Sequence, residues 1–173
     1  MNTVNKILIV GSAGSGKTTF AKKLGEIVNL PVIHLDKEYW KPNWEKPDHD
    51  EWINKLDILL SKEKWILDGN YRSTLKKRVE KADMIIFLDY DRKVCVTSVL
   101  ARIEENEGQV RDDLSDGCYE TFDPDFLKWV WDFPVKYRPE ILDVLNSSKK
   151  KVIILKDRVE ADNYLLNLKS NIE

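Results

Sequence analysis

The stretch ILIVGSAGSGKTTFAKKLG, residues 7–25, decides the fold of this chain. An apolar run leads into a loop that carries three glycines and one lysine, and a helical pattern follows it. Glycines let a backbone curl so that successive N–H groups point inward, and a helix that begins there adds the positive end of its dipole. The stretch is therefore predicted to hold an anion.

Residues 11–18 of this loop fit the P-loop pattern GxxxxGK[ST], placed between a predicted strand and a predicted helix. In such loops the lysine reaches the β- and γ-phosphates of a nucleotide and the hydroxyl that follows it ligates Mg²⁺. Lys17 and Thr18 take these roles here, since a purely structural glycine turn would not require them. The predicted cofactors are ATP and Mg²⁺. The predicted nucleotide-binding residues of the loop are Gly11, Ser12, Ala13, Gly14, Ser15, Gly16, Lys17, Thr18 and Thr19.

The rest of the chain alternates continuous apolar runs with helical patterns, which is typical of a parallel sheet covered on both faces. We expect an α/β fold of the P-loop NTPase type in a single domain, residues 1–173, with a lid insertion. Its three-layer sandwich would contain a five-stranded parallel sheet in the order 2-3-1-4-5. The predicted strands are KILIV (6–10), PVIHL (31–35), KWILD (64–68), DMIIFL (83–88) and KVIILK (151–156).

Composition narrows the possible partners. A net charge of −2 gives no general attraction to nucleic acid, and the basic stretch RSTLKKRVEK, residues 72–81, is interpreted as one solvated helix face. No apolar run approaches the roughly 20 residues that span a bilayer, and the N-terminus does not resemble a signal peptide. We therefore predict a cytoplasmic protein without a membrane partner, with Cys95 and Cys118 as reduced thiols.

Ligands of open α/β sheets bind at the carboxyl ends of the strands, which directs attention to the residues there. Asp36 follows the second strand and is placed to orient an acceptor hydroxyl or take its proton. It opens a predicted acceptor-binding segment, about residues 34–62. In this segment His34, Trp40 and Trp44 would form an acceptor wall, or the tryptophans would simply pack the crossover onto the sheet.

The stretch WILDGNYRST, residues 65–74, closely resembles the LLDGFPRT stretch of adenylate kinases, with Asn-Tyr where that family has Phe-Pro. The resemblance implies that Asp68 orients Mg²⁺-bound water and that Arg72 holds the phosphate of an acceptor. An acidic residue beside a triphosphate site also suits a Mg²⁺ shell, and an arginine offers a planar fork for phosphate.

The same resemblance implies a lid over the polar stretch at about 104–122, which has no usable hydrophobic period. Arg102 would point toward this lid and cover the ATP phosphates, and Arg111 is the only basic residue in it. Arg158 is expected near the adenine. Arg138, which lies beyond the lid in the chain, is a further candidate for contact with the phosphates, and a surface ion pair is the alternative for it.

The whole pattern is similar to the bacterial DNA topology-modulation (FlaR-type) proteins, an adenylate-kinase-related P-loop family. The motifs HLDKEYWKPNW, LDGNYR and FLKWVW carry this resemblance. Two functions remain open: a kinase that moves the γ-phosphate of Mg-ATP to a nucleotide-like or hydroxylated acceptor, or a nucleotide-dependent regulator of DNA topology or of a protein partner. The kinase hypothesis assigns catalysis to Lys17, Asp36, Arg72, Arg102 and Arg111, and the metal to Thr18 and Asp68.

Overall fold

A computed structural model of the chain describes residues 4–171. The strands are β1 (Lys6–Gly11), β2 (Val32–His34), β3 (Trp65–Asp68), β4 (Met84–Leu88) and β5 (Lys151–Leu155). They form one sheet in the order β2-β3-β1-β4-β5, and every neighbouring pair is parallel. The predicted sheet and its strand order are confirmed.

Four of the helices described in residues 4–171 begin at an aspartate cap. The side chains of Asp48, Asp91, Asp123 and Asp157 each accept a backbone N–H at a helix start, which satisfies a donor that the helix itself cannot pair. The helices are α1 (Lys17–Val28), α2 (Leu35–Tyr39), α3 (His49–Ser61), α4 (Leu75–Lys81), α5 (Arg92–Asn106), α6 (Pro124–Lys136), α7 (Arg138–Ser147) and α8 (Arg158–Ser170), with short 3₁₀ turns at Pro42–Trp44 and Arg72–Thr74.

Helices cover both faces of the central strands, and successive strand residues point to opposite faces. In β1, Ile7 and Ile9 pack with α1, α5 and α8, whereas Leu8 and Val10 pack with α3, α4 and α7. All four side chains are buried, and each contributes about 1.5–3 kcal/mol by leaving water. These two cores produce the three-layer sandwich and fix the carboxyl ends of the strands at one edge.

The polar stretch that is predicted to be a lid overlaps the end of helix α5. Residues 104–106 complete helix α5, whose last turn is polar because it faces solvent. The stretch outside regular helices and strands therefore runs over residues 107–122, and we call it the lid segment. It folds back on itself through isolated bridges that pair Glu107 with Glu120 and Val110 with Tyr119.

The thiol prediction agrees with the structure. Cys95 and Cys118 are both free and buried, and burial raises the pKa of Cys95, which makes its thiolate less accessible. As for membranes, the helices within residues 4–171 include none that is long and apolar enough to span a bilayer.

Candidate active site

The glycine-rich loop lies between β1 and α1 and rests directly on helix α5. Gly14 and Gly16 have left-handed φ values of 78° and 82°. A Cβ atom on Gly14 would lie 2.1 Å from the carbonyl oxygen of Cys95, so only glycine allows the loop to approach α5 this closely. Across the loop, Lys17 Nζ donates to the carbonyl oxygen of Ser12 at 2.8 Å. The loop is thus closed and pre-formed.

The surroundings of Lys17 bring three predicted residues into electrostatic contact. Burial lowers the pKa of the Lys17 ammonium, and the negative charges of Asp68 and Asp36 partly offset this effect. Asp68 ends β3, the neighbour of β1, and its side chain is buried. The candidate phosphate-binding lysine, the candidate metal carboxylate and the candidate base therefore share one charged neighbourhood.

His34 contacts the candidate metal ligand. It ends β2 directly opposite Asp68 in the strand register, and its Nδ1 lies 2.9 Å from Asp68 Oδ1. Burial lowers the pKa of His34, but the hydrogen bond and the charge of Asp68 outweigh burial and raise that pKa above 6.5. The sequence suggested an acceptor wall for His34, whereas the structure has it holding one oxygen of Asp68.

Asp36 has the environment of a base. The hydroxyl of Tyr71 donates to Asp36 Oδ1 at 2.7 Å. Burial raises the pKa of Asp36, against the opposing effects of the Tyr71 hydrogen bond and of Lys17. A carboxylate whose pKa is raised holds a proton more strongly and is a better general base near neutral pH.

A fully buried arginine, Arg78, shapes the loop that carries Tyr71. Its guanidinium donates to the carbonyl oxygens of Gly69, Asn70 and Tyr71 at 2.8–3.1 Å, and burial lowers its pKa to about 9. The interpretation of residues 72–81 as one solvated face is therefore wrong for Arg78, which is 0% exposed. Its spacing of three residues from buried Leu75 was the available signal.

The Asn-Tyr pair that replaces the adenylate-kinase Phe-Pro makes specific contacts. Asn70 Oδ1 accepts the backbone N–H of Gly11 at 3.2 Å, which ties this loop to the start of the phosphate loop. Tyr71 reaches Asp36 on the other side. One loop, held by Arg78, therefore connects the phosphate loop to the acceptor segment.

Four predicted nucleotide-binding residues line a single cleft. Thr18 and Thr19 face Arg102 and Arg111 across a volume of about 450 Å³, which the lid segment also borders. The cleft thus combines the N-terminus of α1 with two guanidinium groups, an arrangement suited to phosphate oxygens.

A buried carboxylate, Glu120, organises the two arginines. Arg102 Nη2 lies 2.9 Å from Glu120 Oε1 and Arg111 Nε lies 3.0 Å from Glu120 Oε2. Glu120 is 4% exposed. Burial lowers the pKa of Arg102, and the neighbouring charge of Arg111 adds to this effect, while Glu120 opposes it. The sequence analysis did not identify Glu120, because its partners are fixed only by the folding back of the lid segment.

The lid segment is closed onto the acceptor segment. Trp44 Nε1 donates to the carbonyl oxygen of Tyr119 at 3.0 Å. The backbone N–H of Asn43 donates to the carbonyl oxygen of Gly117 at 3.2 Å. Trp40 and Trp44 make an edge-to-face pair, with ring centroids 5.4 Å apart. The tryptophan pair therefore supports the closed lid as well as packing the crossover.

Three predicted arginines lie apart from the group around Lys17. Arg72 is 59% exposed and pairs with Glu140 of α7 at 2.9 Å. Arg138 forms a two-pronged ion pair with Asp89, with distances of 2.7 and 2.8 Å, and Asp89 is largely buried, so the pair is not the surface ion pair that was the alternative. Arg158 is exposed and donates to Ser98 of α5 at 2.6 Å. Ligand contacts of Arg72 and Arg158 stay predictions.

The donors at the predicted metal site fit Mg²⁺. The Thr18 hydroxyl and the Asp68 carboxylate both offer oxygen, the atom that this cation prefers. His34 faces Oδ1 of Asp68, which leaves Oδ2 as the free oxygen of that pairing. Within residues 4–171 no three histidine, cysteine, aspartate or glutamate side chains cluster to hold a metal by themselves. Phosphate and water oxygens would supply the remaining ligands, as is usual for Mg²⁺ with nucleotides.

Solved structures of the same fold are found at low sequence identity. A shikimate kinase from Acinetobacter baumannii in complex with shikimate gives a TM-score of 0.62 at 16% identity, with 98% of this chain and 93% of that chain covered. A shikimate kinase from Bacteroides thetaiotaomicron gives a TM-score of 0.60 at 16% identity, with 98% of this chain and 99% of that chain covered. A gluconokinase from Sinorhizobium meliloti gives a TM-score of 0.54 at 17% identity, with 97% of this chain and 95% of that chain covered.

No protein-family model matches the sequence, and no curated protein matches it. The similarity is therefore one of structure, over nearly the full length of each chain. It establishes the α/β P-loop fold that these kinases share.

Proposed function

We propose that this chain is a small-molecule kinase that transfers the γ-phosphate of Mg-ATP to a hydroxyl group of a small acceptor. The proposal is carried by the placement of Lys17, Asp68 and Asp36 at the carboxyl ends of the neighbouring strands β1, β3 and β2, where they would serve as phosphate ligand, metal carboxylate and base. The likeness in fold to shikimate kinases and a gluconokinase supports the same class of reaction.

The surroundings of Asp36 favour a hydroxyl acceptor over a phosphate acceptor. A hydroxyl must lose a proton as it attacks, so it benefits from a carboxylate whose pKa burial has raised. A nucleoside monophosphate is already ionised and needs no base. It would need a cationic phosphate ligand, and the candidate for that role, Arg72, is exposed and paired with Glu140.

In the proposed reaction the acceptor oxygen bonds to the γ-phosphorus while the bond from that phosphorus to the β-bridging oxygen breaks, and ADP leaves. Asp36 takes the proton of the acceptor hydroxyl. Lys17 holds the β- and γ-phosphates, and Arg102 and Arg111 stabilise the charge on the transferred group. Bound Mg²⁺ would supply further charge neutralisation at Thr18 and Asp68. The closed lid segment excludes water, which would otherwise take the phosphate.

Replacement of the phosphate-binding lysine tests the nucleotide assignment. We expect Lys17→Ala to weaken Mg-ATP binding at least tenfold, about 1.4 kcal/mol, in titration calorimetry. Its far-UV circular dichroism should stay unchanged. Lys23→Ala removes an exposed lysine from the same helix, where Lys23 pairs only at the surface with Asp162, and serves as the matched control. Equal affinity in the wild type and Lys17→Ala would exclude the phosphate grip.

A further inference from the structure

An aspartate of the lid segment contacts the predicted metal ligand of the phosphate loop. The hydroxyl of Thr18 donates to Asp113 Oδ2 at 3.0 Å, although the two residues are 95 positions apart in the chain. Asp113 is 5% exposed. This contact joins the lid segment to the nucleotide site through a charged, buried group.

The contact leaves the Thr18 hydroxyl able to bind a cation. A hydroxyl carries one hydrogen and two lone pairs, and Asp113 engages only the hydrogen. The lone pairs then point away from Asp113. A hydroxyl that donates to a carboxylate is also more electron-rich, because hydrogen bonds in a chain polarise one another. Asp113 therefore prepares Thr18 as a metal ligand.

The charge of Asp113 also acts on whatever the cleft contains. Asp113 and Thr18 both line the cleft that holds Arg102 and Arg111, so the carboxylate lies close to the predicted phosphate position. Arg111 Nε is 3.5 Å from Asp113 Oδ1 and is shared with Glu120, so it compensates Asp113 only in part. A triphosphate without a metal ion would meet this negative charge directly, whereas Mg²⁺ held by Thr18 would neutralise part of the charge of the triphosphate.

We propose that Asp113 is a positioning residue that links closure of the lid segment to the metal-bound form of the nucleotide. It orients the Thr18 hydroxyl toward Mg²⁺ and disfavours a closed lid over ATP that lacks the metal. This inference rests on the proposed function, since it concerns the same nucleotide site. The inference adds that a residue of the lid segment, and not only the phosphate loop, makes the protein bind Mg-ATP in preference to free ATP.

The test compares the full chain with Asp113→Asn, which keeps the size of the side chain and removes its charge. The dissociation constant of ATP is measured by calorimetry in excess Mg²⁺ and again in EDTA. The value in EDTA divided by the value in Mg²⁺ gives the selection for the metal complex. Asp116→Asn removes the same charge from an exposed position of the lid segment and is the matched control. Asp113→Glu, which keeps the charge, is the second variant.

We expect Asp113→Asn to reduce this ratio at least tenfold, with Asp116→Asn within about threefold of the wild type and Asp113→Glu between the two. Tighter binding of both ATP forms by Asp113→Asn, with the ratio preserved, would mean that Asp113 repels ATP equally with and without the metal. That result would overturn the proposal. An unchanged ratio and unchanged affinities would overturn it as well. A wild type that binds neither form would refute the proposed function itself, a result distinct from both.

Discussion

The hydrogen bond from Tyr71 to Asp36 sets the expected pH dependence of transfer. Turnover should rise with pH as Asp36 ionises, and this acid limb should lie above 3.8 because burial raises the pKa of Asp36. Tyr71→Phe removes a donor to the ionised carboxylate, so the pKa of Asp36 rises further and the limb moves to higher pH. The pH profile of kcat measures this shift.

Two further variants separate this effect from general damage to the site. Asp36→Asn should lower kcat by about 10²–10⁴-fold, the usual contribution of a general base, while Mg-ATP still binds. Tyr39→Phe removes a hydroxyl from the ring that packs against Tyr71, at a centroid distance of 4.5 Å, and should leave the acid limb in place. A limb that moves to lower pH in Tyr71→Phe would contradict the role given to Asp36.

The positions of residues at strand ends could be predicted from the sequence, whereas contacts between residues far apart in the chain could not. Asp36 and Asp68 follow apolar strands, and the carboxyl ends of parallel strands meet at one edge. Asp113 and Glu120 lie in a polar stretch without periodicity, so nothing local distinguishes them from its other acidic residues. Arg78 was missed because a basic run usually marks a solvated surface.

At the scale of elements, the close packing of the phosphate loop against α5 should contribute measurably to the free energy of unfolding. Gly14 and Gly16 both have left-handed φ values, so alanine at either position introduces similar backbone strain. A Cβ on Gly14 would meet the backbone of α5 at 2.1 Å, while a Cβ on Gly16 has nothing within 4 Å. Gly14→Ala should therefore destabilise the ligand-free protein by about 1–3 kcal/mol more than Gly16→Ala.

Urea unfolding of the two variants measures this difference, because the free energy of unfolding is extrapolated from the same transition in each. Equal losses of stability would mean that the phosphate loop does not rest on α5 as described. In that case the loop could move independently of the helix that carries Arg102.

The predicted elements differ from the observed ones mainly where burial does not decide the outcome. The five strands match to within one or two residues, because each is a continuous apolar run; β1, β3 and β4 are buried within the sheet and the edge strands β2 and β5 are partly covered. The predicted lid, about residues 104–122, includes Glu104, Glu105 and Asn106, which form the polar last turn of α5, and the lid itself stays a prediction. A polar helix end and a polar loop have the same composition, and only the backbone distinguishes them.

On the scale of the whole molecule, the lid segment contacts both the acceptor segment and the phosphate loop. The lid touches the acceptor segment through Trp44 and the phosphate loop through Thr18. Such closure serves a transfer reaction, because it keeps water from the phosphate. A regulator of DNA topology would not need it, and a net charge of −2 offers little attraction to DNA.

The central claim is tested most directly by following the γ-phosphate itself. The protein is incubated with Mg-ATP labelled at the γ-phosphate and with separate panels of small hydroxylated compounds, nucleoside monophosphates and duplex DNA. We predict label in a hydroxylated compound, with the rate of labelling at least about 10²-fold lower than in the wild type after Asp36→Asn and also lower than in the wild type after Lys17→Ala. ATP consumption that only DNA stimulates, with no label in any small acceptor, would contradict the kinase assignment and support the regulator instead.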